Sequence, residues 1–177
     1  MTFLRFFCLI LCASIHPAAQ AQVLPVIDVL EEGTAWRVRV EATFAAPAQQ
    51  IWSVLTDCSR APAFVPHLES CRILGKDQAA RWDVRENIVN PPLLPRMRTI
   101  VRSDYRPPLS FTYKLVSGDM RRSEGAWTLT PQNGGTRVVY VALIEPSLPA
   151  PGFLVANAIK ADLPEMFRSL DALTKTP

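Results

Sequence analysis

FLVANAIKADLPEMFRSLDALTK, residues 153–175, sets Ile159, Leu163, Met166, Phe167, Leu170 and Leu173 at helical spacing along one stripe. Pro164 lies inside the stripe, so a kink is expected near residues 160–164. An amphipathic helix of this length must lay its apolar face on something. The segments before it are strands.

Reading backward, TRVVYVALIE (136–145) is apolar on both faces, which predicts a strand covered on both sides over part of its length. The NGG turn (133–135) separates it from SEGAWTLTP (123–131), which carries Trp127 and Leu129. LSFTYKLVSG (109–118) aligns Leu109, Phe111, Tyr113 and Leu115, while RMRTIVRSDY (96–105) aligns Met97, Thr99, Val101, Ser103 and Tyr105 against mostly arginines. The rigid NPPLLPR connection (90–96) follows ARWDVRENIV (80–89), and SCRILGK (70–76) completes a run of six strands. TAWRVRVEATFAA (34–46) alternates cleanly, with Trp36, Val38, Val40, Ala42 and Phe44 inward. After it, PAQQIWSVLTD (47–57) and SRAPAFVPHL (59–68) read as two short helical pieces, the second limited by Pro62 and Pro66. The expected fold is α+β: a seven-stranded curved antiparallel sheet wrapped around the long C-terminal helix, with two short helices after strand 1.

The ends bear on location. Arg5 followed by FFCLILCASI (6–15) and the small-residue site AQA (19–21) resembles a secretory leader, too short to span a bilayer comfortably. Cleavage after Ala21 would leave residues 22–33 as an N-terminal extension and 34–174 as one domain, in a periplasmic or secreted protein. Leu11 before Cys12 disfavours a lipoprotein; an uncleaved anchor is the rival reading. Loss of Cys8 and Cys12 leaves Cys58 and Cys71, either a disulfide closing a loop of about 14 residues or two buried thiols. Their combination with one histidine has no metal-ligand spacing.

The formal charge of +3 is too mild to indicate nucleic acid as a partner. Outward arginines would permit transient contact with an anionic membrane surface, although a solvated face is the ordinary explanation. A monomer is the default. No nucleophile elbow, phosphate loop, HExxH or dinucleotide fingerprint is present, and no cofactor is expected.

PAQQIWSVLTDCSRAPAFVPHLESCRIL (47–74), SGDMRRSEGAWTLTPQNGGTRVVY (117–140) and PAPGFLVANAIKADLPEMFRSLDAL (149–173) resemble the START-like superfamily, specifically its polyketide cyclase/dehydrase and lipid-transport group with the helix-grip fold. The resemblance implies a cavity between sheet and helix for a hydrophobic small molecule such as a lipid, quinone or polyketide. Its nearest-looking branch holds a bacterial ribosome-associated toxin and a mitochondrial quinone-binding protein. An exported chain does not suit the ribosomal role.

On this fold the expected ligand-lining residues are Trp82, Glu86, Met97, Val101, Tyr105, Phe111, Tyr113, Trp127, Met166 and Leu170. Glu86 is the polar candidate, because period-two alternation aligns it with Trp82, Val84 and Ile88. A buried unpaired carboxylate is costly, so it calls for a partner, water or a polar ligand atom. Glu86 with Tyr105 or Tyr113 is a weak candidate for acid–base catalysis. His67 reads as an exposed or capping residue before it reads as a base, and Asp119, Arg121, Arg122 and Glu124 as a surface ion-pair network or an entrance patch. A carrier predicts an apolar pocket with one or two polar anchors; an enzyme predicts convergent ionisable groups. A protein-interaction module predicts a filled cavity and an exposed patch at PPLLP (91–95) or PGFLV (151–155). Binding leads.

Overall fold

The computed structural model describes residues 23–147 and 151–175; the expected leader lies outside them. In chain order the elements are β1 Val26–Glu32, β2 Ala35–Phe44, α1 Ala48–Thr56, a 3-10 turn Ala61–Ala63, β3 Leu68–Lys76, β4 Trp82–Val89, β5 Met97–Arg106, β6 Ser110–Gly118, β7 Met120–Gln132, β8 Gly135–Pro146 and α2 Gly152–Lys175. All strands join one curved antiparallel sheet in the order β1-β2-β8-β7-β6-β5-β4-β3. Its concave face grips α2.

The strand count is eight, where the alternation predicts seven. The additional strand, β1, occupies the expected N-terminal extension and pairs with β2 from Val26↔Glu41 to Glu32↔Ala35. The hairpin closes at Gly33, whose φ of 65° suits a residue without a side chain. VIDVLEE hides its strand character because an edge strand has little to cover: only Ile27 and Val29 pack on the core, while Val26 and Leu30 remain exposed. The second short helical piece is a single 3-10 turn of three residues, limited as its prolines require. Pro164 does not end α2, which runs unbroken through it.

Phe44, Val38, Val40, Leu129 and Val138 of the sheet meet Phe167 and Leu170 of α2 in a fully enclosed core. Ring stacking organises it: Trp127 lies 5.6 Å from Phe167 and 4.4 Å from Tyr140. Trp52 of α1 meets Tyr105 and Phe111 edge-on, each at 5.9 Å. Complete burial of one such large apolar side chain stabilises the fold by about 1.5–3 kcal/mol.

The greasy outer face of β8 has a different explanation from the one its sequence suggests. Val141 and Leu143 are half-buried and stand opposite Arg39 and Arg37 of β2. The aliphatic stems of neighbouring arginines shade them, and no second layer of structure covers them among the described residues. On the far edge, Cys58 and Cys71 form a disulfide with Cα atoms 5.3 Å apart, fastening the α1 connection to β3.

Candidate functional site

Strand β4 decides what the concave face offers. It pairs with β5 without a bulge, Arg85 opposite Val101 and Asp83 opposite Ser103, and directly opposite residues share a face. Val101 and Ser103 are buried inward, so Asp83, Arg85, Asn87 and Val89 point inward with them. Trp82, Val84, Glu86 and Ile88 take the convex side. This reverses the parity expected from hydrophobicity, and it removes Trp82 and Glu86 from the ligand-lining set.

The physical reason is pairing. Glu86 accepts hydrogen bonds from Arg98 Nε at 2.6 Å and Arg72 Nη2 at 2.9 Å. These two guanidinium groups, Arg98 first, hold its carboxyl below the ordinary glutamate range. Arg102 lies over the Trp82 ring at 4.6 Å from its centroid. Arginine stems thus shelter the apolar outer face, while the charged inner face neutralises itself.

That neutralisation is a closed network. Asp83 and Arg85 are 8% and 9% exposed. Arg85 Nε donates to Asp83 Oδ1 at 3.0 Å and its Nη2 donates to Asp83 Oδ2, to the Tyr105 hydroxyl and to the Thr56 carbonyl. Tyr105 in turn donates its hydroxyl proton to Asp83 Oδ2 at 2.6 Å. Burial works against the guanidinium charge, but Asp83 and Tyr105 outweigh it and raise the pKa of Arg85. Burial also lifts the Tyr105 phenol, so it keeps its proton.

Two adjoining hollows lie between sheet and helix. The inner one, about 230 Å³, is walled by Arg85, Asn87, Thr99 and Ser103 on one side and by Phe64, Phe111, Trp127 and Met166 on the others. Its ceiling carries Tyr113 and Tyr140, whose hydroxyls are 2.8 Å apart. Gly125 makes that contact feasible, since a Cβ there would come within 2.8 Å of the Tyr113 ring. Burial pushes both phenols upward, that of Tyr113 well above its usual value. The outer hollow, about 220 Å³, is apolar: Pro91, Leu94, Pro95, Met97, Ile144 and Ile159 contribute to it. Val89 and Tyr140 border both spaces.

Of the expected lining residues, Val101, Phe111, Tyr113, Trp127 and Met166 border the inner hollow and Met97 the outer. Tyr105 points inward but belongs to the Asp83–Arg85 network. Leu170 is fully buried core and borders neither hollow. The suggested catalytic pairing of Glu86 with Tyr105 or Tyr113 fails, because the sheet separates Glu86 from both.

His67 lies on the wall of the outer hollow, 3.3 Å from Asp162 of α2. Its backbone φ is 60°, an unusual value for a residue with a side chain. Asp119 also borders this hollow and accepts the Arg98 backbone N–H at 2.7 Å. Arg121 and Glu124 instead make the long surface pairs expected of them, with Glu145 and Lys114. The two apolar segments border the outer hollow: Leu94 and Val155 line it, while Leu93 and Phe153 stand exposed next to them in sequence.

Asp83, Arg85 and Tyr140 are the site residues that hydrophobic patterning misses. The available signal for the first two was their spacing: residues i and i+2 of a strand share a face, so Asp83 can neutralise Arg85 there.

The sequence model of the family described as polyketide cyclase / dehydrase and lipid transport matches residues 44–171. No curated protein matches the chain significantly. Among solved structures, a protein of Thermus thermophilus superposes with a TM-score of 0.69 at 19% identity, covering 78% of this chain and 97% of its own. The Zhui aromatase/cyclase from a Streptomyces species gives 0.68 at 16%, covering 80% and 94%. A STAR-related lipid transfer protein from Xanthomonas axonopodis also gives 0.68 at 16%, covering 91% and 97%. At these identities the structural likeness establishes the shared fold.

Proposed function

The chain belongs to the polyketide cyclase / dehydrase and lipid transport family, and from that starting point we propose that it binds and carries a hydrophobic small molecule between sheet and α2. The observation that carries this reading is the pair of adjoining hollows that share Val89 and Tyr140, one apolar and the other with polar groups on its wall. An elongated lipid, quinone or polyketide-like molecule would place its apolar part among Leu94, Met97 and Ile159 and an oxygen near Arg85 and the Tyr113–Tyr140 pair. The space is open, which favours a carrier over an interaction module with a filled cavity.

Binding is favoured over catalysis by the state of the polar groups. Asp83 is committed to Arg85 and Tyr105, and both hollow-lining phenols are held protonated by burial. Among the described residues, no free base therefore borders the inner space. Export to the periplasm or beyond completes the proposal, on the strength of the leader-like residues 1–21.

The test is native mass spectrometry of the chain produced with its own leader in a Gram-negative host, followed by organic extraction. A stoichiometric hydrophobic ligand is expected, and Val89→Trp, which fills the junction of the hollows, should abolish it while circular dichroism stays native. A protein that arrives empty and then ignores Nile red, fatty esters and quinones overturns the reading. Recovery of the intact chain with residues 1–21 still attached, in the cytoplasm, overturns the export component.

A further inference from the structure

The carrier reading leaves open what head group the ligand bears, and the charges around the hollows answer it. Among the described residues, no lysine or arginine borders the outer hollow; its charged groups are the carboxylates of Asp119 and Asp162, the latter beside His67. One cation borders the inner hollow, Arg85, and Asp83 already cancels it through two hydrogen bonds. Tyr113 and Tyr140 add no charge. Neither hollow, among the described residues, therefore has an uncancelled lysine or arginine to receive an anion.

The inner hollow does have donors left over. Arg85 Nε and Nη2 are engaged, but Nη1 donates to no protein group among the described residues, and it is not sealed away from its surroundings. The two tyrosine hydroxyls share one proton between them in their mutual hydrogen bond, which leaves the other free to donate. Asn87, Thr99, Ser103 and Ser123 bring further polar atoms to the same wall. Asp83, beside Arg85, is engaged by three donors.

We infer that the site selects a neutral lipophilic molecule bearing a carbonyl-type oxygen, as in a ketone, an ester or a quinone, and rejects the corresponding carboxylate. This rests on the carrier reading and narrows it. A neutral acceptor meets Arg85 Nη1 and a phenolic proton without bringing net charge into a buried space. A carboxylate would set its charge beside Asp119 and Asp162 in the outer hollow, or leave it uncompensated among the buried groups around Arg85, where burial disfavours the ionised form. The protonated phenols agree with this: they donate to an acceptor and have no reason to ionise beside it.

The experiment is displacement of Nile red by three molecules of equal chain length: methyl laurate, laurate and dodecane. At neutral pH methyl laurate should compete about tenfold or more better than laurate, and better than dodecane, which has no acceptor. Acidification that protonates laurate should narrow its gap from the ester. Laurate binding as tightly as the ester overturns the inference, and dodecane matching the ester overturns the role of the donors. Asp83→Asn frees the charge of Arg85 and should shift the ratio toward laurate; an unchanged ratio in the folded variant overturns the electrostatic account. The wild-type comparison stands alone should that variant not fold. A wild-type protein that binds no Nile red, or a Val89→Trp variant that binds it equally, removes the carrier reading itself, an outcome distinct from a wrong order among the three ligands.

Discussion

Arg85→Met replaces a buried guanidinium with an apolar chain of similar reach, and its consequence can be worked from the network it leaves. Asp83, 8% exposed, loses the Nε and Nη2 donors and keeps only the Tyr105 hydroxyl. Removing one member of a buried ion pair typically costs about 3–5 kcal/mol, since the survivor's charge stays buried without compensation. The Thr56 carbonyl also loses a donor, worth about 1 kcal/mol. The better packing of methionine offsets part of this, so a net loss of about 3–5 kcal/mol is expected. Urea unfolding followed by circular dichroism measures it, with the m-value checked for constancy. The double variant Asp83→Val with Arg85→Met removes both charges and strands only the Tyr105 hydroxyl and the Thr56 carbonyl, for a loss of about 1–3 kcal/mol. The double should therefore be more stable than Arg85→Met alone. A single-variant loss under about 1 kcal/mol, the size seen for exposed pairs, would refute the reasoning, as would a double no better than the single.

Glu86→Ala acts on the other side of the sheet and should leave Nile red binding within about twofold of wild type; a tenfold loss would return Glu86 to the site. Leu170→Ala should lower urea stability by about 2–5 kcal/mol through the cavity it opens, with affinity unchanged in the folded protein, because Leu170 is core and not lining. Replacing Cys58 and Cys71 together by serine should cost about 2–4 kcal/mol, read as a lower urea midpoint that reducing agent reproduces in wild type alone. Asp162→Asn tests a pH effect. Burial raises the Asp162 carboxyl above its ordinary value despite the neighbouring His67, so the native state holds this proton to higher pH than the unfolded chain. Stability then falls as pH rises between the two values. The amide should raise Tm at neutral pH, with the gain fading below the ordinary carboxylate range. A loss of Tm independent of pH would contradict the assignment.

Much of the architecture was legible because it rests on period and punctuation. The stripe from Ile159 to Leu173 and the alternation from Trp36 to Phe44 each admit one burial pattern, and the structure follows both. Residues on β5 and β6 kept their expected faces for the same reason. β4 failed because hydrophobicity was the wrong guide to its face. Trp82, Val84 and Ile88 look like core until Arg72, Arg98 and Arg102 arrive from other strands, and Asp83 and Arg85 look like surface until they pair with Tyr105, a contact 22 positions away. Cross-strand neighbours decide that face, and one strand's sequence does not contain them. β1 was missed for a related reason: its pairing comes from β2, while its own apolar residues fall on both sides.

The strand order has a consequence for when this protein can exist during its own synthesis. β3 to β8 form a run of neighbours that assemble nearly in sequence, but β2 must wait for β8, the strand beside it in space. The ion pair of Glu41 with Arg137 spans 96 positions, and the Thr136 hydroxyl reaches the Ala46 carbonyl across 90. Until β8 has emerged, the early hairpin of β1 and β2 has neither its sheet neighbour nor the helix that covers it. Such distant closure is slow relative to local pairing. A nascent chain of this protein therefore cannot complete its sheet until β8 has been made, and cannot cover it until α2 follows.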